Sequence, residues 1–146
     1  MQIMTEPDQR AQIIELSEQV GILLAGMVEA SAEALHAARS GDGDGAVAAL
    51  ERREPLLERS DQLFRQLGRL RQALTPAGEA LYAARLDELE QGVAAIGAID
   101  AQLEFTLAAA RQQVGHELEQ IEATSQRNTR YQSAPAVAGT TIDLTY

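Results

Sequence analysis

Residues 82–121 read YAARLDELEQGVAAIGAIDAQLEFTLAAARQQVGHELEQI. Within them Tyr82, Leu86, Leu89, Val93, Ile96, Asp100, Leu103, Leu107, Ala110, Val114, Glu117 and Ile121 recur in alternating steps of four and three. That is the spacing of one long helix laying a stripe against partners along its length. Just upstream, Thr75-Pro76 offers a capping hydroxyl followed by proline at the first helical position. The pattern predicts a helix over 76–125, which at 1.5 Å per residue extends roughly 75 Å.

Two further segments share the period. Ile13, Leu16, Val20, Leu23, Met27, Ala30 and Ala34 predict a helix over 7–39, with Thr5 as its cap, Asp8 three residues on and Pro7 in its first turn. It ends where Ser40-Gly41-Asp42-Gly43-Asp44-Gly45 cannot remain helical. Val47, Leu50, Leu57, Phe64, Leu67, Leu70 and Leu74 predict a second helix over 45–74, kinked near Pro55, which removes a backbone donor. The fold class is therefore all-α: an elongated antiparallel three-helix bundle or coiled coil over 1–126, with a very long C-terminal helix. Residues 127–146 read as a flexible, irregular C-terminal tail.

Composition agrees. Of 146 residues 45% are apolar but only 3% aromatic, so the core is aliphatic, which suits packed helices better than sheets. Twenty-two acids face 12 bases, all arginine, for a net charge of −10. Such a chain repels phosphate backbones and anionic bilayers, which argues against nucleic-acid and membrane-surface partners. There is no cysteine, hence no disulfide, thiolate metal site or cysteine nucleophile. With no signal-like N-terminus and no apolar run approaching the ~18 residues of a membrane span, a cytoplasmic protein is expected. The charge is uneven: residues 41–75 are balanced by arginine, whereas the first and last helices are strongly acidic. The middle helix is thus expected to reach toward both neighbours with its guanidinium groups.

No constellation supports catalysis, and no cofactor or metal is expected. Residues 40–51 align with a twelve-position calcium loop through Asp42, Asp44, Gly45 and Glu51, but Ser40 takes the first position, where a carboxylate belongs. The plainer reading is a Gly/Asp turn with Asp44 capping the next helix. Glu33 and His36 form a single E-x-x-H pair, and Gln113 stands where His116 would need a glutamate, so a di-iron carboxylate site is incomplete. His36 is also a poor phosphotransfer histidine, because the glycine-rich break follows within two turns.

What remains is apolar surface. Leu103, Phe105, Leu107, Val114, Leu118 and Ile121 lie where the last helix outruns its two shorter partners, and they spread wider than one seam. Such a strip fits a partner-binding surface for an amphipathic helix, or alternatively the interface of a homodimer.

The same arrangement resembles a known family, the FlgN-type flagellar type III export chaperones. The likeness lies in a long first helix ending in Ala34-Leu35-His36, a short Gly/Asp turn, and Ala49-Leu50-Glu51-Arg52-Arg53-Glu54-Pro55-Leu56-Leu57. A very long last helix follows, then Arg127-Asn128, Tyr131 and Gly139-Thr140-Thr141-Ile142-Asp143-Leu144. The resemblance implies a cytoplasmic, non-enzymatic chaperone of hook-associated proteins, the hook-filament junction components, delivering them to the export gate. It implies that a client helix packs on the strip from Leu103 to Ile121, and that a tail tyrosine contacts the gate, here Tyr131. The reading outside that family is a structural coiled-coil adaptor acting as a homodimer, without an export role.

Overall fold

The computed structural model describes residues 5–132, with side chains to residue 129. The protein is all-α, with three helices and no strand among the described residues: α1 (Glu6–Arg39), α2 (Gly43–Leu70) and α3 (Pro76–Gln132). A single 3-10 turn, Arg71–Ala73, leads out of α2. The chain divides into two compact units, Met1–Leu107 and Ala108–Tyr146.

Each helix of the first unit begins and ends for local reasons. Thr5 caps α1, its hydroxyl oxygen accepting from the Asp8 amide while its O–H donates to the Asp8 carboxylate at 2.6 Å. At the other end Gly41 adopts φ 77°, which glycine takes without steric cost. The Asp42 amide then reaches Ala37 O at 2.8 Å and the Gly41 amide reaches Ala38 O at 3.2 Å, a Schellman closure. The cap of α2 is Asp42 rather than the expected Asp44. Its Oδ1 accepts the Gly45 amide at 2.8 Å, and Asp44 falls in the first turn. Thr75 caps α3 as expected, taking the Gly78 amide at 3.1 Å.

One boundary differs from the sequence reading. The helix α2 stays helical through Pro55, with no break there, because the ring costs one backbone bond while the flanking residues keep packing. The helix α3 continues to Gln132, so residues 127–132 are helical rather than irregular tail. The remaining tail residues lie outside the described part of the chain.

The first unit runs up, down and up. Arg52 of α2 pairs with Glu33 of α1, and a Cβ at Gly26 would stand 3.1 Å from Leu56 Cδ1, so the two helices are antiparallel. Arg39 meets Gln102 at 2.9 Å, and a Cβ at Gly92 would stand 3.2 Å from Leu24 Cδ1, so α3 runs beside α1 in the same direction. That close approach explains why Val93 is 48% exposed although the heptad count points it inward: the smaller Gly92 faces α1 instead.

The inward register of α2 also lies one residue from expectation over its first half. Ala46, Ala49, Ser60, Leu63 and Leu67 are buried and Val47 is exposed. Small and polar residues hold the inward positions there, so hydrophobicity alone selected the neighbouring stripe. Leu63, Leu67, Ile13, Val20, Leu24, Met27, Tyr82, Leu89 and Ile96 form the larger core cluster. Ala34, Leu35, Ala49 and Leu103 form a smaller one.

A polar layer separates the two clusters. Arg53 Nη1 donates to Ser31 Oγ at 2.9 Å and to Asp100 Oδ1 at 2.5 Å, joining all three helices. Adjacent arginines of α2 thus form ion pairs with opposite neighbours, Arg52 with Glu33 of α1 and Arg53 with Asp100 of α3. Ser31 is fully buried, whereas the Asp100 side chain keeps 41% of its exposure, so water screens part of the charge. Arg53→Ala is expected to cost about 1–2 kcal/mol in urea unfolding, after that discount, because the Ser31 hydroxyl and Asp100 lose their partner. Replacing the three together by Met, Ala and Leu is expected to restore the stability, since a fully apolar layer leaves no orphaned group. A triple variant as weak as Arg53→Ala would contradict this account of the layer.

Candidate functional site

The six residues of the expected partner-binding strip are divided between the units, Leu103, Phe105 and Leu107 in the first and Val114, Leu118 and Ile121 in the second. Leu103 is 5% exposed and sits in the smaller core cluster with Ala34, Leu35 and Ala49. Leu107 is half-buried against that cluster. Both are therefore core residues of the first unit, covered by the end of α1 and the start of α2. Phe105, two residues beyond Leu103, is turned about 200° around the helix from it and stands 77% exposed on the outward face.

In the second unit Val114, Leu118 and Ile121 are 55%, 59% and 65% exposed. Their spacing of four and then three keeps them in one row on the helix. Their flanks are polar: Gln113 Nε2 donates to Glu117 Oε1 at 3.2 Å, Gln120 and His116 side chains meet at 3.2 Å, and Glu119 and Glu122 are exposed. The row is thus a narrow aliphatic stripe with acidic borders. It carries no nucleophile with an adjacent base, and its chemistry is that of helix–helix contact. Tyr131, the expected gate contact, falls in the last turn of α3 and lies beyond the described side chains.

The alternative sites resolve differently. A twelve-residue calcium loop is not formed, because residues 43–51 belong to α2 and the Asp42 carboxylate caps that helix. Among the described residues no group of three or more His, Asp or Glu side chains is placed to hold a metal ion. Glu33 is paired with Arg52, and His36 is exposed in the last turn of α1. The expectation that no segment approaches a membrane span needs correction. By length and composition Glu6–Arg39 and Pro76–Thr129 are both apolar enough to cross a bilayer. In α1 the reason is core residues such as Ile13, Val20, Leu24 and Met27; in α3 alanine and glycine add apolar character on exposed faces as well.

Two polar features escaped the sequence reading. One is Gln9, 4% exposed, whose amide grips the α2–α3 connection by donating to Ala73 O at 2.8 Å and accepting the Thr75 amide at 3.1 Å. The other is the inward Arg53. The available signal was Asp100 at a heptad core position, where a carboxylate turned toward neighbouring helices favours a cationic partner. Comparison with protein-family models, with curated proteins and with solved structures finds no match.

Proposed function

We propose that this chain is a non-enzymatic, helix-binding chaperone of the FlgN type, acting in the cytoplasm on hook-filament junction proteins bound for the type III export gate. The observation that carries the reading is the row Val114, Leu118 and Ile121, aliphatic and more than half exposed, on a helix whose Leu103 and Leu107 are already engaged by a core. The resemblance in the Ala49–Leu57 run and in the length of the last helix supports the narrower family assignment. A client helix with residues at i, i+3 and i+7 would shield the row, while the acidic flanks keep the free chaperone soluble.

Co-expression with a hook-filament junction protein tests this directly. The expected result is a soluble complex in which the junction protein no longer polymerises. A stable dimer of this chain that persists with client in excess, together with no complex, would instead favour the coiled-coil adaptor. Tyr131→Ala is expected to leave client capture unchanged while lowering secretion of the client several-fold in an export assay. Loss of capture by Tyr131→Ala would contradict a gate-contacting role.

A further inference from the structure

A second surface lies wholly within the first unit. Between α1 and α2 runs a groove of about 490 Å³, within the usual range for a ligand site. Half-buried Leu16 and Leu70 give it apolar surface above the buried Leu63, with Arg59 and Arg69 on the α2 wall and Glu15 on the α1 wall. The geometry points to this groove as the docking site of an acidic amphipathic helix supplied by a protein partner.

Charge carries the choice of occupant. The chain has 22 acids for 12 arginines, so an intramolecular carboxylate is available in excess for each guanidinium. Arg59, Arg65 and Arg69 nevertheless make no ion pair among the described residues, whose only two bridges use Arg52 and Arg53. No acid occurs between Gln62 and Gly78, a stretch that holds Arg65, Arg69 and Arg71. Of these only Arg69 lines the groove, where it is joined by Arg59, whose Nη1 donates to Gln62 Oε1 at 3.2 Å rather than to a carboxylate. Glu15, the one acid in the groove, is engaged by Gln19 Nε2 at 3.4 Å.

Spacing fits a helix. Arg59 and Arg69 are separated by ten residues of α2, roughly 15 Å along the axis. A partner helix lying in the groove would bury leucine-type side chains on Leu16 and Leu70 and bring glutamates near both guanidinium groups. Arginine suits this role, since its planar fork meets a carboxylate with two parallel hydrogen bonds. Nothing in this inference depends on the Val114 row or on the export reading.

The test uses the full chain and a fluorescein-labelled amphipathic peptide of about 16 residues, roughly 24 Å of helix, with leucines on one face and glutamates beside them. A matched peptide carries lysine for every glutamate. Polarisation titrations are expected to show the glutamate peptide binding at least about tenfold more tightly than the lysine peptide. The double variant Arg59→Gln, Arg69→Gln is expected to weaken it by roughly three- to tenfold, with an unchanged circular-dichroism melt because both side chains are exposed. Val114→Asp is expected to leave that affinity unaltered. Equal binding of the two peptides, or indifference to the double variant, would overturn the proposal. So would loss of binding in Val114→Asp, which would place the peptide on α3. A self-dimer dissociated by the double variant would overturn the choice of partner, as would anionic phospholipid vesicles binding the groove when the glutamate peptide does not.

Discussion

Leu103→Asp and Val114→Asp, on the same helix, are expected to give opposite phenotypes. Leu103 is 5% exposed among Ala34, Leu35 and Ala49, so a carboxylate there is buried without a partner. The expected cost is about 4 kcal/mol or more, and the melting midpoint of the first unit should fall by at least about 10 °C. Val114 is 55% exposed, and aspartate in its place should change stability by no more than about 0.5 kcal/mol. Its effect falls on binding, because a charge at the first position of the aliphatic stripe must be desolvated by the incoming helix. A loss of at least about 100-fold in client affinity is expected, equivalent to about 2.7 kcal/mol. Ile22→Asp, on a residue 73% exposed on α1, serves as the control and should alter neither quantity. Calorimetric titration of a client helix, beside thermal melts of the three variants, checks the pair. Comparable melts for Leu103→Asp and Val114→Asp would show that the two positions are not distinguished as described.

Gln9→Ala should produce the second large effect. The side chain is nearly inaccessible and holds Ala73 O and the Thr75 amide, the two ends of the passage from α2 into α3. Removing it orphans a carbonyl and an N–H in a partly buried corner, at about 1–3 kcal/mol each. A total near 2–4 kcal/mol is expected in urea unfolding. Part of that loss comes from looser packing, since a Cβ at Gly78 would stand 3.0 Å from Gln9 Oε1 and the neighbourhood is already tight. Gln12→Ala, three residues on and exposed, should be within about 0.5 kcal/mol of the parent. Equal stabilities for the two variants would mean that the amide clamp contributes nothing to the connection.

Much of the fold was legible because period and punctuation agreed. The heptads of 82–121, the Thr75-Pro76 start and the Gly41 stop each have a local physical cause that operates whatever the neighbours are. The register of α2 was less legible. Its inward positions are occupied by Ala46, Ala49, Arg53 and Ser60, which a hydrophobic stripe passes over in favour of Val47 and Leu50. The polar layer reconciles this, because Arg53 is inward only in the company of Ser31 and Asp100, a condition set by tertiary contacts. The candidate site was half legible for a related reason. Periodicity marks Leu103, Leu107, Val114 and Ile121 alike as interface positions, and the ends of α1 and α2 decide that Leu103 and Leu107 are covered. The groove carrying Arg59 and Arg69 required two helices to be placed side by side, and no spacing within either of them announces it.

The most direct test of the central claim, that the row in the second unit receives a client helix, is site-specific photocrosslinking. A benzophenone side chain is introduced at Leu118 in one protein and at Ile22 in another, both exposed. Each is irradiated with a hook-filament junction protein. The account predicts a covalent adduct with the junction protein from position 118 and none from position 22. An adduct from position 22 alone, or an adduct from position 118 that joins only two copies of this chain, would contradict it.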